Sequence, residues 1–207
     1  MSAERPFRLA DLVANGTMSE EIGTTLRETA QARRSFLVMA VPQRAGKTTV
    51  MNAMLAEAAA VPVVALGYDG DDVGELVTRG QGGYLVVPEV SRGAWAPGYV
   101  WGDKVGQAFA GIAGGTALAT GLHAPDPDEG LAIICRGCGV PDEDAARLSL
   151  VVYLRAFGPP EAPTHRRVAT VHEIRGVDQG TPDARLLYRW IEKGDRFEAI
   201  DDAHRGG

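Results

Sequence analysis

Gly46-Lys47-Thr48-Thr49 is the stretch whose residue types suit phosphate chemistry. A lysine is a compact cation for β- and γ-phosphate oxygens, and a hydroxyl beside it can ligate Mg2+. A glycine just before them lets the main chain close on an anion. The flanks fit this chemistry. Phe36-Leu37-Val38-Met39-Ala40-Val41 is a short, unbroken apolar run that reads as a buried strand, and Val50, Met51, Met54, Leu55 and Ala58 recur with helical spacing. Strand, tight loop and helix aim the unpaired N–H donors of the loop and of the helix N-terminus at an anion. Gln43, Arg44, Ala45, Gly46, Lys47, Thr48 and Thr49 are therefore expected to surround a nucleotide's phosphates, with Thr48 also on the metal. The motif is incomplete: Val41 stands six residues before Lys47, where the full pattern has glycine, and Arg44 takes a place that is often glycine. A strand–helix turn that merely contains Gly-Lys-Thr is the plainer reading of the same residues.

Two further side chains fall at strand ends. Tyr84-Leu85-Val86-Val87 is an apolar run closed by Pro88-Glu89. An acid at the carboxyl end of a strand emerges where ligands bind in an open α/β sheet, as a Walker B acid does. Thr116 to Leu122 is another strand pattern, and it ends at His123. Glu89 also reads as a surface acid and His123 as a satisfied polar residue. Asp69, in the acidic turn Gly67-Tyr68-Asp69-Gly70-Asp71-Asp72, fits a turn at least as well as catalysis. Cys135 and Cys138 lack the second pair that zinc needs. They fall at a helix C-terminus before Gly139, where a redox dithiol would not be activated, so they read as core thiols.

The elements that must position these residues alternate. Leu9, Leu12 and Val13 form a short apolar patch. Thr17-x-x-Glu20 reads as a capping box opening a helix with Ile22, Leu26 and Ala30 on its buried face and Arg33-Arg34 at its end. Val61 to Leu66 is a second strand and Val73 to Thr78 a short helix. Residues 91–103 hold Trp95, Pro97, Tyr99 and Trp101 among glycines, a loop that either folds back on the core or presents a partner surface. Val105, Phe109 and Ile112 are helical in spacing, and Asp126-Pro127-x-Glu129 opens another helix with an N-cap and a proline at its first position. Leu148–Leu154 and Val168–Ile174 read as hairpin partners across Gly158-Pro159-Pro160, with strands at Leu186–Ile191 and Arg196–Ile200 following and a polar tail from Asp201. The pattern predicts an α/β fold with a mostly parallel central sheet flanked by helices and a β-rich C-terminal edge.

A chain of 207 residues with a net charge of −6 reads as one domain over 1–207 and argues against a nucleic-acid surface. Two cysteines, no secretory leader and no apolar run of membrane-spanning length suit a reducing cytosol.

Four stretches, in order, carry a resemblance. They are Leu9 to Glu21 running through Arg33-Arg34 into Gly46–Leu55; Leu85-Val86-Val87-Pro88-Glu89; Gly115 to Ala124 around His123; and Arg166-Arg167 to Ile174. Together they cover most of residues 8–190 and resemble the ATPase domain of the type II/type IV secretion and pilus traffic ATPases, most of all the branch serving tight-adherence pili and type IV secretion. The resemblance implies a RecA-like P-loop fold that hydrolyses ATP with Mg2+. It also implies a homo-oligomer, a hexamer in that family, at the cytoplasmic side of the inner membrane on secretion or pilus platform proteins. Carried over by position, Lys47 and Thr48 hold phosphate and metal, Glu89 orients or activates the attacking water, and His123 senses the γ-phosphate. Asp69 is a looser match to the family's acidic box. The family's N-terminal domain has no counterpart, the stretch before Glu89 is short, Ser91 and then Arg92 stand where an arginine follows the glutamate, and the aromatic loop is long. A degenerate ATPase-like module that scaffolds a secretion or pilus partner is the competing reading. A small-molecule kinase is a third, for which Arg44, Arg79 and Arg92 are too scattered to serve as a lid.

Overall fold

A computed structural model describes residues 6–41, 45–58, 60–67, 71–93, 97–159 and 162–200. Its centre is β1 (Ser35–Ala40), buried along its whole length. Phe36, Val38 and Ala40 enter one apolar cluster and Leu37 and Met39 the other, the alternation of a strand covered on both faces. The sheet adds β2 (Val63–Ala65), β3 (Tyr84–Val90), β4 (Tyr99–Val100), β5 (Ala117–Leu122), β6 (Leu148–Phe157), β7 (His165–Asp178), β8 (Thr181–Ile191) and β9 (Arg196–Ala199). Its order is β2-β3-β5-β1-β6-β7-β8-β9, with β4 pairing on β3. The strands through β6 pair in parallel, and β7, β8 and β9 extend the sheet as antiparallel hairpins. The expected fold class is the one observed.

Three helices cover one face: α1 (Leu9–Ala14), α2 (Glu20–Gln31) and α3 (Lys47–Leu55) supply Leu9, Leu12, Ile22, Leu26, Met51 and Met54. The other face is covered by α4 (Val73–Arg79), α5 (Asp103–Ala113), α6 (Pro127–Ala132) with its π-helical extension Ile133–Gly137, and α7 (Asp142–Ala145). Asp126 caps α6 through a 2.9 Å bond accepted from the Glu129 N–H, with Pro127 in the first turn as the sequence predicts.

Several local expectations are corrected. The apolar patch at Leu9–Val13 is a helix, opened by a 2.8 Å bond from the Arg8 N–H to the Asp11 carboxylate. The cap of α2 is Ser19, because the Thr17 hydroxyl is engaged at 2.7 Å by Asn15 Oδ1. Arg33 lies beyond the helix at φ 53° and donates to the Gly82 carbonyl, so it does not close the last turn. Of Val61–Leu66 only Val63–Ala65 is strand: a short edge with Val63 about half exposed at 47%. Val41 lies beyond β1 and is exposed. In the aromatic loop Val100 is buried, while Trp101 packs on the core beneath Arg92, whose guanidinium sits 4.7 Å from the ring centre. That half folds back; Trp95 lies outside the described residues. The tail from Asp201 also lies outside them.

Candidate functional site

The sheet order places the chemistry. Because β5 lies between β1 and β3, the carboxyl ends of three adjacent strands deliver the start of α3, His123 and Glu89 side by side. The turn into α3 needs its glycine: Gly46 sits at φ 97°, left-handed space that side chains disfavour. It is the N-cap and has no side chain with which to cap α3, so the first N–H groups face the loop.

Glu89 reaches the site through an irregularity in β3. Register with β5 shifts between Val87 and Val90, which sets Pro88 and Glu89 in a bulge. Pro88 has no N–H to give a ladder, and the Glu89 N–H bonds the Gly98 carbonyl at 3.2 Å on the neighbouring β4 segment. Gly121 in β5 leaves the space needed here. A Cβ at that position would lie 2.6 Å from the Pro88 carbonyl oxygen and 3.6 Å from both Glu89 Oε2 and Lys47 Cε.

Lys47 and Glu89 are about nine-tenths buried, at 9% and 8% exposure. Lys47 Nζ is 3.1 Å from Glu89 Oε2 and 3.0 Å from His123 Nε2. His123 Nδ1 lies 2.9 Å from the Ala40 carbonyl. A carbonyl only accepts, so this contact assigns the proton to Nδ1; Lys47 Nζ is 3.2 Å from that nitrogen too, nearly as close as to Nε2, so the ammonium lies over the ring rather than on the Nε2 lone pair. Burial pushes the Lys47 ammonium below its ordinary pKa, opposed by the charge and hydrogen bond of Glu89. Glu89 Oε1 is buried with no hydrogen-bond partner among the described residues, and His123 Nε2, 3.7 Å away, carries no proton in this tautomer.

These groups line a cavity of about 480 Å3 that also holds Ala45, Gly46, Thr48 and Thr49. The structure thus brings Lys47, Thr48, Thr49, Glu89 and His123 together. Gln43, Arg44 and Asp69 lie outside the described residues. Arg79 pairs with Glu75 and Arg92 with Trp101, and neither lines the cavity. Cys135 and Cys138 are buried, their thiols pushed up by burial, Cys135 to about 11, as core thiols are. Sequence reasoning missed Gly121, which leaves room for Pro88 and Glu89, and Tyr99, Pro97 and Arg166, which line the cavity. A glycine inside an otherwise apolar strand was the available signal for the first. A second cavity of about 400 Å3 adjoins across the loop, sharing Ala45, Gly46, Thr49 and Arg166 and adding Phe7, Leu12, Asn15, Leu154 and Arg167.

No protein-family model matches this chain, and no curated protein matches it in sequence. Solved structures do. The VirB11 ATPase of the Brucella suis type IV secretion system, solved in complex with sulphate, aligns over 80% of this chain and 54% of its own at 16% identity, with a TM-score of 0.52. The ATPase DotB from Yersinia pseudotuberculosis aligns over 81% and 48% at 11% identity (TM-score 0.55). DotB from Legionella pneumophila aligns over 86% and 53% at 13% identity, also with a TM-score of 0.55. The fold is that of these secretion ATPases. At such identities the likeness is one of architecture alone. The chain spans about half the length of each of these proteins.

Proposed function

We propose that this chain binds Mg-ATP on the loop before α3 and hydrolyses it, as the motor domain of a secretion or pilus machine. One observation carries the chemistry: Lys47, Glu89 and His123 converge at three adjacent strand ends, with Glu89 Oε1 buried and unpartnered. A buried acceptor without a donor is an unmet demand, and a water placed for attack on the γ-phosphate meets it. The fold shared with VirB11 and DotB supports the same reading.

The α3 N–H groups and Lys47 take the β- and γ-phosphates. Lys47 then exchanges its carboxylate partner for phosphate, and Glu89 keeps Oε1 for the water's proton. His123, pinned at Nδ1 by Ala40, presents Nε2 to the same space. From there it links phosphate occupancy to the end of β5. The described residues hold no cluster of three or more metal-ligating side chains. Mg2+ keeps several waters and takes substrate phosphate oxygens, and needs no dedicated protein cage. Thr48, on the cavity wall, is the hydroxyl. Bound there, the metal would neutralise charge on the phosphates. The nucleoside lies in the adjoining cavity, against Phe7 and Leu12.

Among the described residues no helix is long and apolar enough to cross a membrane. We place the chain in the cytoplasm, reaching the inner membrane through platform proteins and acting as a homo-oligomer. The test is ATP turnover by the purified chain beside Lys47→Ala and Glu89→Gln. Turnover lost in both variants is expected. ATP bound but never turned over by the unaltered chain would leave a scaffold module in place of the motor.

A further inference from the structure

We propose that the amino ends of the central strands carry a second anion site, in which Arg33, Arg34 and Arg147 take a small phosphate-bearing ligand. It lies at the end of the sheet opposite the phosphate loop and is independent of the nucleotide reading.

β1 runs from Ser35 at this end to Ala40 at the loop end. At its start a recess of about 420 Å3 opens, within the range of small-ligand sites. Arg33, Arg34 and Arg147 line it, and among the described residues no acidic side chain does. The chain as a whole carries −6, so three cations in one recess run against its average. Arg147 shares its charge with Asp144, 3.4 Å away. Arg33 donates to the Gly82 carbonyl at 3.2 Å, a neutral acceptor. Neither Arg33 nor Arg34 is ion-paired among the described residues, although Glu28 and Glu173 line a neighbouring cleft that Arg34 also borders.

The ordinary use of arginines here would be to close the end of α2. The main chain already does so: the Glu28, Ala30 and Thr29 carbonyls accept from the N–H groups of Ala32, Arg33 and Arg34, a Schellman closure. That closure favours glycine at the place Arg33 occupies, and Arg33 holds φ 53° there. A side chain kept where the backbone prefers none points to a use for it. Two hydroxyls add donors. Ser35 lines the recess, is 3% exposed, and accepts from the Leu118 N–H at 3.0 Å. That is the one hydrogen bond of its hydroxyl among the described residues, so the proton is left for an acceptor in the recess. Ser35 pairs with Leu148 and Phe36 with Leu150, which leaves Ser149 bulged from the ladder and lining the same recess. Guanidinium forks and hydroxyl donors together match the several terminal oxygens of a phosphate group.

The probe is inorganic pyrophosphate at physiological ionic strength, without metal. In the unaltered chain it should protect Arg33 and Arg34 from phenylglyoxal, read residue by residue by mass spectrometry, while Arg79, paired with Glu75 on α4, reacts as before. Calorimetric titration then compares Lys47→Ala, in which the phosphate loop does not contribute, with the same chain carrying Arg33→Gly and Arg34→Gln. Pyrophosphate should bind the latter about 10- to 100-fold more weakly, the loss of charge-assisted hydrogen bonds. Its melting temperature should be no lower, because glycine relieves the left-handed backbone. Equal modification of Arg33 and Arg34 with and without pyrophosphate would overturn the site, as would undiminished affinity in the altered chain. Protection by a polyglutamate peptide or by phosphatidylglycerol vesicles, with none by pyrophosphate, would overturn it in favour of a docking surface. Mg-ATP affinity should be the same in Arg33→Gly/Arg34→Gln as in the unaltered chain, so failure of this site leaves the nucleotide reading where it was.

Discussion

Among the described residues Lys47 has two partners, Glu89 and His123, and a phosphate must compete with the first of them for its charge. Glu89→Gln removes that competition as well as the proposed base. Mg-ATP affinity should hold or tighten while turnover falls on the order of 100-fold, the scale of one acid–base group; single-turnover kinetics beside equilibrium titration check both halves. A pH dependence follows from the depressed Lys47 pKa. Phosphate binds the ammonium form, so affinity is full below that pKa and declines as pH rises through it, and burial brings the decline below the ordinary lysine value of 10.5. Titrations of the unaltered chain with Mg-ATP from neutral pH to about 10 should show the fall, and an affinity constant across that range would contradict it. Lys47, Thr48, Glu89 and His123 were legible in sequence because each sits at a junction that local pattern reveals: strand to loop, or strand to its last residue. Gly121 and Arg166 were not, because their roles exist only after β5 has inserted between β1 and β3 and β7 has folded back beside β6.

The bulge in β3 shows how an element converts local chemistry into position. Proline interrupts the ladder, and the acid that follows is turned into the site. Gly121→Ala would press its methyl on the Pro88 carbonyl, shifting that bulge. We expect turnover to drop by at least about tenfold, as small misplacements of reacting groups do, with far smaller loss of ATP affinity; steady-state kinetics beside binding would separate the two. The β7–β9 edge is tied by Asp195, which accepts from Arg167 and from Trp190 Nε1. Those hydrogen bonds hold its pKa well below the ordinary 3.8. The folded value is depressed, so the stabilisation is complete above the unfolded value and is lost as pH falls towards the folded one. Asp195→Asn should therefore unfold at lower urea than the unaltered chain at neutral pH, the gap closing under acid. Both carboxylate and guanidinium reach solvent, and screening keeps the gap modest. The hairpins were readable from alternation and the Gly-Pro loop. The α1 helix was not, since six residues are too few for helical periodicity to declare itself.

At the scale of the molecule, the parallel half of the sheet builds the site and the antiparallel half closes one side of it with Arg166. The fold class was visible in the order of strand and helix patterns, and the separation of β1 from β3 by a later strand was not, because crossovers leave no local mark. If subunits complete one another's sites, specific turnover should climb with protein concentration, alongside association seen by sedimentation; a flat specific activity across the association range would mean each chain works alone. The central claim is that the turn into α3, with Lys47, holds a nucleoside triphosphate, and the melting temperature with Mg-ATP tests it most directly. At about a hundred times Kd, ligand binding adds about 2.7 kcal/mol to the folded state, which for a chain of this size raises the midpoint by about 5–10 °C. The account predicts that rise in the unaltered chain and its loss in Lys47→Ala. An unchanged midpoint at millimolar Mg-ATP, or an equal rise in the variant, would contradict it.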